Sequence, residues 1–146
     1  MKIPEIIVHG KDNGDSMIIH YQTIKGTDIF GLGMPNFHGS GEWDLGPTWC
    51  YLILGQKTTL IDTGRYEYFD DLVALLKSID IDVSDIDRVI PTHSHEDHDG
   101  NLAEVVTSSG AKLWAHEIYP CMISFYPHLR DGVQHPEDSP CRDFSR

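Results

Sequence analysis

The chain has 146 residues, 40% of them hydrophobic, which is typical of one globular domain with a buried core. Its formal net charge is −12, and because a polyanion would be repelled, a nucleic-acid ligand is disfavoured. No long apolar span occurs, and residues 1–8 are interrupted by Pro4 and Glu5. We therefore expect neither a signal peptide nor a membrane span, and a cytoplasmic location.

The cysteines indicate the redox state. Cys50, Cys121 and Cys141 are an odd number and show no Cys-x-x-Cys spacing. Together with the missing export signal, this predicts reduced thiols. Cys50 lies in an apolar stretch, so we expect it to be a small core residue.

Hydrophobic patterns in the first half predict strands and then a helix. Residues 18–24 alternate imperfectly and predict a strand that ends near a turn at Gly26. Residues 50–54 and 58–62, joined by 55–57, predict a hairpin. Apolar residues at three- and four-residue spacing then predict an amphipathic helix lying on the sheet. These residues are Phe69, Leu72, Val73, Leu76 and Ile79.

Residues 31–48 are rich in glycine, and we expect no regular structure there. A loop of this length is often a lid or a binding loop. Phe37 and Trp43 are candidates for substrate contact, with local packing as the alternative, because aromatic side chains also anchor loops to their own core. His38 is expected to be a surface histidine rather than a ligand.

The strongest chemical signal follows a short apolar strand at residues 86–90. We call residues 92–100 the histidine loop; it contains His93, His95, Asp97 and His98. Imidazole nitrogen and carboxylate oxygen suit Zn²⁺, Fe²⁺ or Mn²⁺. His93 and His95 are two positions apart and cannot share a helix face, so we expect an extended or looped segment. The alternative is a polar surface loop without a metal.

A carboxylate beside these imidazoles has two candidate roles. Asp97 or Glu96 could act on a metal-activated water. Asp62, at the end of a predicted strand, could accept the second N–H of an imidazole and fix its tautomer. The alternative for Asp62 is a turn aspartate that caps Thr63 and Gly64.

The segment His93-Ser94-His95-Glu96-Asp97-His98 resembles the His-x-His-x-Asp-His signature of the metallo-β-lactamase-fold hydrolase superfamily. Upstream, residues 58–64 are similar to the family strand that ends in Asp-Thr-Gly, and residues 50–54 to its partner strand. The resemblance implies that His93 and His95 bind a first metal and that Asp97 and His98 bind a second. It further implies that a hydroxide between the two ions attacks the substrate.

The resemblance also implies an α/β fold, the family's αββα sandwich, with only the N-terminal half of the domain present. The family completes its site with two further histidines and a bridging aspartate downstream. We therefore expect residues 1–146 to be one truncated domain in which residues 126–146 form a loop-like tail. Residues 101–108 should form a helix ended by Gly110, and residues 111–115 another strand. His116, His128 and His135 are weaker candidates for replacement ligands.

The leading hypothesis is a metal-dependent hydrolase of a small-molecule ester, thioester, lactone or amide, with one or two zinc ions and with iron or manganese as alternatives. A mononuclear iron sulfur dioxygenase of the same fold is a second hypothesis. His95 argues against the flavodiiron reductases, which resemble this motif but carry glutamate at that position. A third hypothesis is a non-catalytic half-domain that needs a second copy or a complementing C-terminal half.

Overall fold

The computed structural model describes residues 3–38 and 43–124. The chain divides into two compact units, residues 1–114 and 115–146. The strands of the first unit are β1 (Glu5–Val8), β2 (Ile18–Gln22), β3 (Asp28–Met34), β4 (Phe37–His38), β5 (Trp43–Asp44), β6 (Thr48–Leu54), β7 (Thr58–Ile61), β8 (Arg88–Ile90) and β9 (Lys112–Leu113). Its helices are α1 (Phe69–Lys77), a 3₁₀ turn (Val83–Asp85) and α2 (Leu102–Ser109). The second unit contains α3 (Tyr119–Ser124).

The main sheet is mixed, with the strand order β1-β2-β3-β6-β7-β8-β9. Neighbouring strands are antiparallel from β1 to β7, whereas β7, β8 and β9 are parallel. The predicted hairpin is confirmed as β6 and β7, with Tyr51 opposite Ile61 and Leu54 opposite Thr58. The helix α1 connects β7 to β8, and α2 connects β8 to β9. This layout confirms the predicted α/β class.

The core lies against one face of this sheet. The strand registers place alternate apolar residues on that face, where Leu52, Leu60 and Val89 are fully buried. Successive crossovers between parallel strands have the same hand, so α1 and α2 cover the same face. Their buried residues are Leu72, Leu75, Leu76, Leu102 and Val105. The apolar stripe therefore predicted α1, and α2 confirms the helix expected before Gly110.

The expectation of no regular structure at residues 31–48 is wrong for residues 31–34, 37–38, 43–44 and 48, which belong to β3, β4, β5 and β6. A glycine inside a strand can mark a close approach of another backbone. A Cβ on Gly33 would lie 2.4 Å from the Gly14 carbonyl oxygen. Farther along, β4 and β5 pair with each other in a short two-stranded sheet. Residues 39–42 lie outside the described part of the chain.

The remaining predictions about the fold have mixed outcomes. The helix α2 ends as expected, with Gly110 at a left-handed φ of 70°, whereas β9 is shorter than the strand predicted at residues 111–115. Cys50 is a free, buried thiol as expected, but the prediction of reduced thiols is wrong for Cys121, which is disulfide-bonded. Within the described residues, no helix is long and apolar enough to cross a membrane. The tail predicted at residues 126–146 lies outside the described residues.

Candidate metal centre

Several strand ends meet at one edge of the main sheet. The carboxyl ends of β7 and β8 lie together because these strands are parallel, and Asp62 and Thr92 follow them. The beginning of β6, at Thr48, reaches the same edge because β6 is antiparallel to β7. The end of β3 arrives there too and leads to Asn36. The topology thus brings residues from distant parts of the sequence to the histidine loop.

The histidine loop is irregular, which confirms the expectation of a looped segment. The His95 carbonyl accepts hydrogen bonds from the amides of His98 and Asp99. The loop is fastened to the segment after β7, because the Thr63 amide donates to the His98 carbonyl at 2.7 Å and the Gly100 amide to the Gly64 carbonyl at 3.0 Å. These contacts fix the backbone from which the candidate ligands project.

Asp62 determines the tautomers of two imidazoles. Its carboxylate can only accept, so His98 Nδ1, 2.9 Å from Asp62 Oδ2, donates and leaves Nε2 without a proton. The Thr92 hydroxyl donates its single proton to the same carboxylate, 2.8 Å away. It must therefore accept from His93 Nδ1 at 3.0 Å, which leaves Nε2 of His93 unprotonated as well. Both Nε2 atoms are then in the form that binds a metal.

The four candidate ligands lie close together. The resemblance divides them into a first pair, His93 and His95, and a second pair, Asp97 and His98. His93 Nε2 is 3.1 Å from His95 Nδ1, but the ring of His93 also lies 4.0 Å from that of His98, measured between centroids, and His98 Nε2 is 3.7 Å from Asp97 Oδ2. Two ligands about 2.0–2.1 Å from a tetrahedral ion are roughly 3.3 Å apart, and the 3.1 Å between His93 and His95 is close to that separation. Among the residues that the structure describes, no group of three or more histidine, cysteine or acidic side chains is placed to hold an ion together.

Asp97 is held by residues that the sequence analysis did not find. Its Oδ2 accepts from Asn36 Nδ2 and from the Thr48 hydroxyl, each at 2.9 Å. Arg65 donates to Asn36 Oδ1 at 3.0 Å and also contacts Glu96. Glu96 thus pairs with a buried guanidinium, although the sequence left open that it acts on a water.

Electrostatics keeps two of the neighbouring groups neutral. Burial lowers the pKa of His93, and the nearby His98 and His95 lower it further. Burial likewise raises the pKa of the Cys50 thiol far above its ordinary value, and the negative charge of Asp62 adds to the effect. His93 is therefore in its metal-binding form at neutral pH, whereas Cys50 remains a thiol and is no thiolate ligand.

The donor set fits a zinc, iron or manganese ion at each pair. The test rests on the chemistry of the donors, since three imidazoles and one carboxylate, without a thiolate, are what these ions accept. His93 and His95 would hold one ion, and Asp97 and His98 the other. Their roles as ligands, and that of Asp62 behind them, stay predictions.

The remaining candidates for substrate contact or metal binding lie outside the histidine loop. Phe37, half-buried in β4, and Trp43, 65% exposed in β5, belong to the two-stranded sheet that begins one residue after Asn36. Their contact with a substrate stays a prediction. His116 belongs to the second unit and is exposed. The side chain of His38, together with His128 and His135, falls outside the described part.

Comparisons with known proteins identify the family. The model of the metallo-beta-lactamase superfamily matches residues 43–138. Similar curated proteins include the anaerobic nitric oxide reductase flavorubredoxin of Citrobacter koseri, 40% identical over 104 residues that make up 70% of this chain and 20% of that protein. The flavo-diiron protein FprA2 of Clostridium acetobutylicum is 39% identical over 78 residues, 47% of this chain and 19% of that protein. The chain thus spans about a fifth of the length of these relatives.

Solved structures agree on the fold. Rm3 metallo-beta-lactamase aligns with a TM-score of 0.52 at 22% identity, covering 64% of this chain and 31% of that one. A metallo-beta-lactamase from Cronobacter sakazakii aligns with a TM-score of 0.51 at 21% identity, covering 62% of this chain and 31% of that one. With the family match over residues 43–138, these alignments show that the chain belongs to the metallo-beta-lactamase superfamily.

Proposed function

We propose that this chain supplies the ligand pairs of a dinuclear metallo-hydrolase that cleaves an ester, thioester, lactone or amide bond in a small molecule. The observation that carries the proposal is the closeness of the four candidate ligands in the histidine loop, which the resemblance divides into the pairs His93–His95 and Asp97–His98. The nearest nitrogen and oxygen atoms of the pairs are 3.1 and 3.7 Å apart, and Asp62 leaves both facing Nε2 atoms unprotonated. Zinc is the expected metal, with iron and manganese as alternatives.

Bound divalent ions would supply Lewis-acid activation of water and of the scissile carbonyl. The protein's own groups do the rest. Asp62 holds the ring of His98 directly and that of His93 through Thr92, so neither imidazole has to reorient. Asp97, with Oδ2 already occupied by two hydrogen bonds, retains lone pairs on Oδ1 that can bind an ion or accept a proton from the attacking water.

The substrate proposal rests on charge and exposure. A net charge of −12 disfavours nucleic acids and other polyanions, which leaves small molecules as the preferred class. Trp43 presents a largely exposed indole in β5, close in sequence to Asn36, and we propose that it contacts the substrate. If so, Trp43→Ala in the complete protein raises KM or lowers kcat. Unchanged kinetics would remove this role.

The proposal is tested in the complete protein that contains this chain. His93→Ala should abolish both metal retention and turnover of a panel of esters, thioesters, lactones and amides. The matched control is His20→Ala, because His20 also pairs with a carboxylate, Asp28 at 2.8 Å, at the start of β3 and thus toward the opposite edge of the sheet. Activity of His93→Ala at the wild-type level would overturn the proposal.

The coordination positions that the two pairs leave open would be filled by water, by further polypeptide or by a second copy of the chain. Sedimentation of the isolated chain with and without zinc separates these sources. An association that depends on zinc would support a shared site. A monomer that retains two ions would show that water and the chain itself suffice.

A second candidate is an iron oxidoreductase of the same fold, favoured by the 35–40% identity to flavorubredoxins over 70% of the chain. A flavodiiron protein would bind two iron ions at these pairs, whereas a sulfur dioxygenase would bind one iron ion. The glutamate that the motif of flavodiiron reductases carries is replaced here by His95, which argues against a flavodiiron reductase but does not distinguish a hydrolase from a sulfur dioxygenase. Retained iron with oxygen- or nitric-oxide-dependent turnover, and without hydrolysis, would establish the second candidate.

A further inference from the structure

A buried cation lies behind the carboxylate of the second pair. The side chain of Arg65 is 3% exposed and contacts both Asn36 and Glu96. A guanidinium has five N–H donors and no acceptor, and it is costly to bury unless its donors are paired. Arg65 therefore fixes the groups around it more firmly than a neutral side chain would.

Arg65 determines which way the Asn36 amide points. The oxygen and nitrogen of an amide are nearly equal in shape, so its orientation depends on its partners. Because Arg65 Nη1 donates at 3.0 Å, the atom facing it must be the oxygen Oδ1. The amide nitrogen is then directed to the other side, where it donates to Asp97 Oδ2 at 2.9 Å and to Thr48 Oγ1 at 3.0 Å.

Thr48 forms hydrogen bonds with both Asn36 and Asp97. Its hydroxyl accepts from Asn36 and donates its own proton to Asp97 Oδ2 at 2.9 Å. In this triangle of Asn36, Thr48 and Asp97, the amide donates to the hydroxyl and the carboxylate, the hydroxyl donates to the carboxylate, and the carboxylate only accepts. Each donor therefore has an acceptor. Since Oδ2 receives two hydrogen bonds, the carboxylate cannot rotate without losing both.

We propose that Arg65, acting through Asn36, is a positioning residue that orients Asp97 and thereby sets the affinity of the Asp97–His98 pair for its ion. Among the hydrogen bonds of the described residues, none joins His93 or His95 to this triangle, and His93 is held through Thr92 and Asp62 instead. Asp62 supports a histidine in each pair, whereas the triangle supports only Asp97, so loss of the triangle should weaken the second ion without weakening the first. This inference rests on the proposed function, because it assigns the two pairs to two ions.

The test is a titration of the complete, metal-depleted protein with Co²⁺, followed by calorimetry and visible absorption. Asn36→Leu should weaken the second ion by about 10–100-fold, the usual cost of losing a group that orients a ligand. Affinity for the first ion should stay within about twofold of wild type. Titrating His98→Ala identifies which step belongs to the second pair. Gln56→Leu, in the exposed turn between β6 and β7, is the matched control.

Two further variants separate orientation from packing. Thr48→Val removes the hydroxyl and should weaken the second ion, whereas Thr48→Ser keeps the hydroxyl and should bind it as wild type does. If Arg65 acts through Asn36, Arg65→Lys should add nothing to Asn36→Leu in the double variant. If Arg65→Lys does not fold, Asn36→Leu still removes the Asn36 oxygen through which Arg65 acts, and an unchanged second ion in that variant still overturns the role of Arg65.

The outcomes distinguish the inference from the proposed function. Unchanged affinity for both ions in Asn36→Leu, or an equal loss at both pairs, would overturn the positioning role and leave the dinuclear site standing. A wild-type protein that binds no Co²⁺ at the histidine loop would overturn the proposed function, and the positioning role with it.

Discussion

Asn101 fastens the histidine loop to the segment after β7, and its replacement should cost much of the protein's stability. The side chain is fully buried, and its amide nitrogen donates to the carbonyls of Thr63 at 2.8 Å and Arg65 at 2.7 Å. Asn101→Leu keeps a side chain of similar size but leaves both carbonyls without this donor. At about 1–3 kcal/mol for each buried group left unsatisfied, the expected loss is about 2–6 kcal/mol. The Oδ1 atom has no hydrogen-bond partner among the residues that the structure describes, so no acceptor is lost there.

This loss is measured by urea unfolding of the metal-free protein, so that metal binding does not contribute. With a slope of about 2 kcal/mol per molar urea, the midpoint should fall by about 1–3 M. The control, Gln56→Leu in an exposed turn, should change the free energy of unfolding by less than about 0.5 kcal/mol. If Asn101→Leu unfolds at the same urea concentration as the control, the reasoning about these two carbonyls is refuted.

Three further predictions concern single positions. A Cβ on Gly100 would lie 2.0 Å from the Tyr66 amide nitrogen, so Gly100→Ala should lower the free energy of unfolding by about 1–3 kcal/mol or more; an unchanged urea midpoint would contradict this. Hydrogen bonds from the Lys57 ammonium and the Thr58 amide lower the pKa of Asp87 in the folded protein. The stability that the ionised carboxylate provides is therefore present above its ordinary pKa and is lost as pH falls through the lower pKa of the folded state. Asp87→Asn should therefore be less stable than wild type at pH 7 but not at strongly acidic pH, and a pH-independent difference in urea midpoint would count against the contact. Burial raises the pKa of Cys50, so iodoacetamide should label it only after unfolding; rapid labelling of the folded protein, detected by mass spectrometry, would show that the thiol is accessible.

The parts of the fold predicted from sequence are those with a local signal. The hairpin of β6 and β7 has two apolar runs joined by a short turn, and α1 has an apolar stripe with a helical period. The histidine loop follows β8 because Pro91 ends that strand. Each of these signals lies within about ten consecutive residues, so no knowledge of the tertiary structure was needed.

The parts that were missed depend on contacts between distant residues. Asn36 and Asp97 are 61 positions apart, and no feature of the sequence around Asn36 indicates that its side chain contacts Asp97. Gly31 and Gly33 suggested a loop, whereas tight packing against Gly14 explains Gly33 in β3. The strand end at Thr48 is close to Asp97 only because β6 is antiparallel to β7. The spacing of residues in a sequence does not show such pairings.

The most direct test of the metal centre is the metal content of the complete protein, measured by elemental analysis together with intact mass. We predict two equivalents of zinc, or of iron or manganese, per chain, one fewer in His98→Ala, and no change in His20→Ala. Wild-type protein that retains no metal after purification and repletion with zinc, iron and manganese would contradict the assignment of the histidine loop as a metal centre.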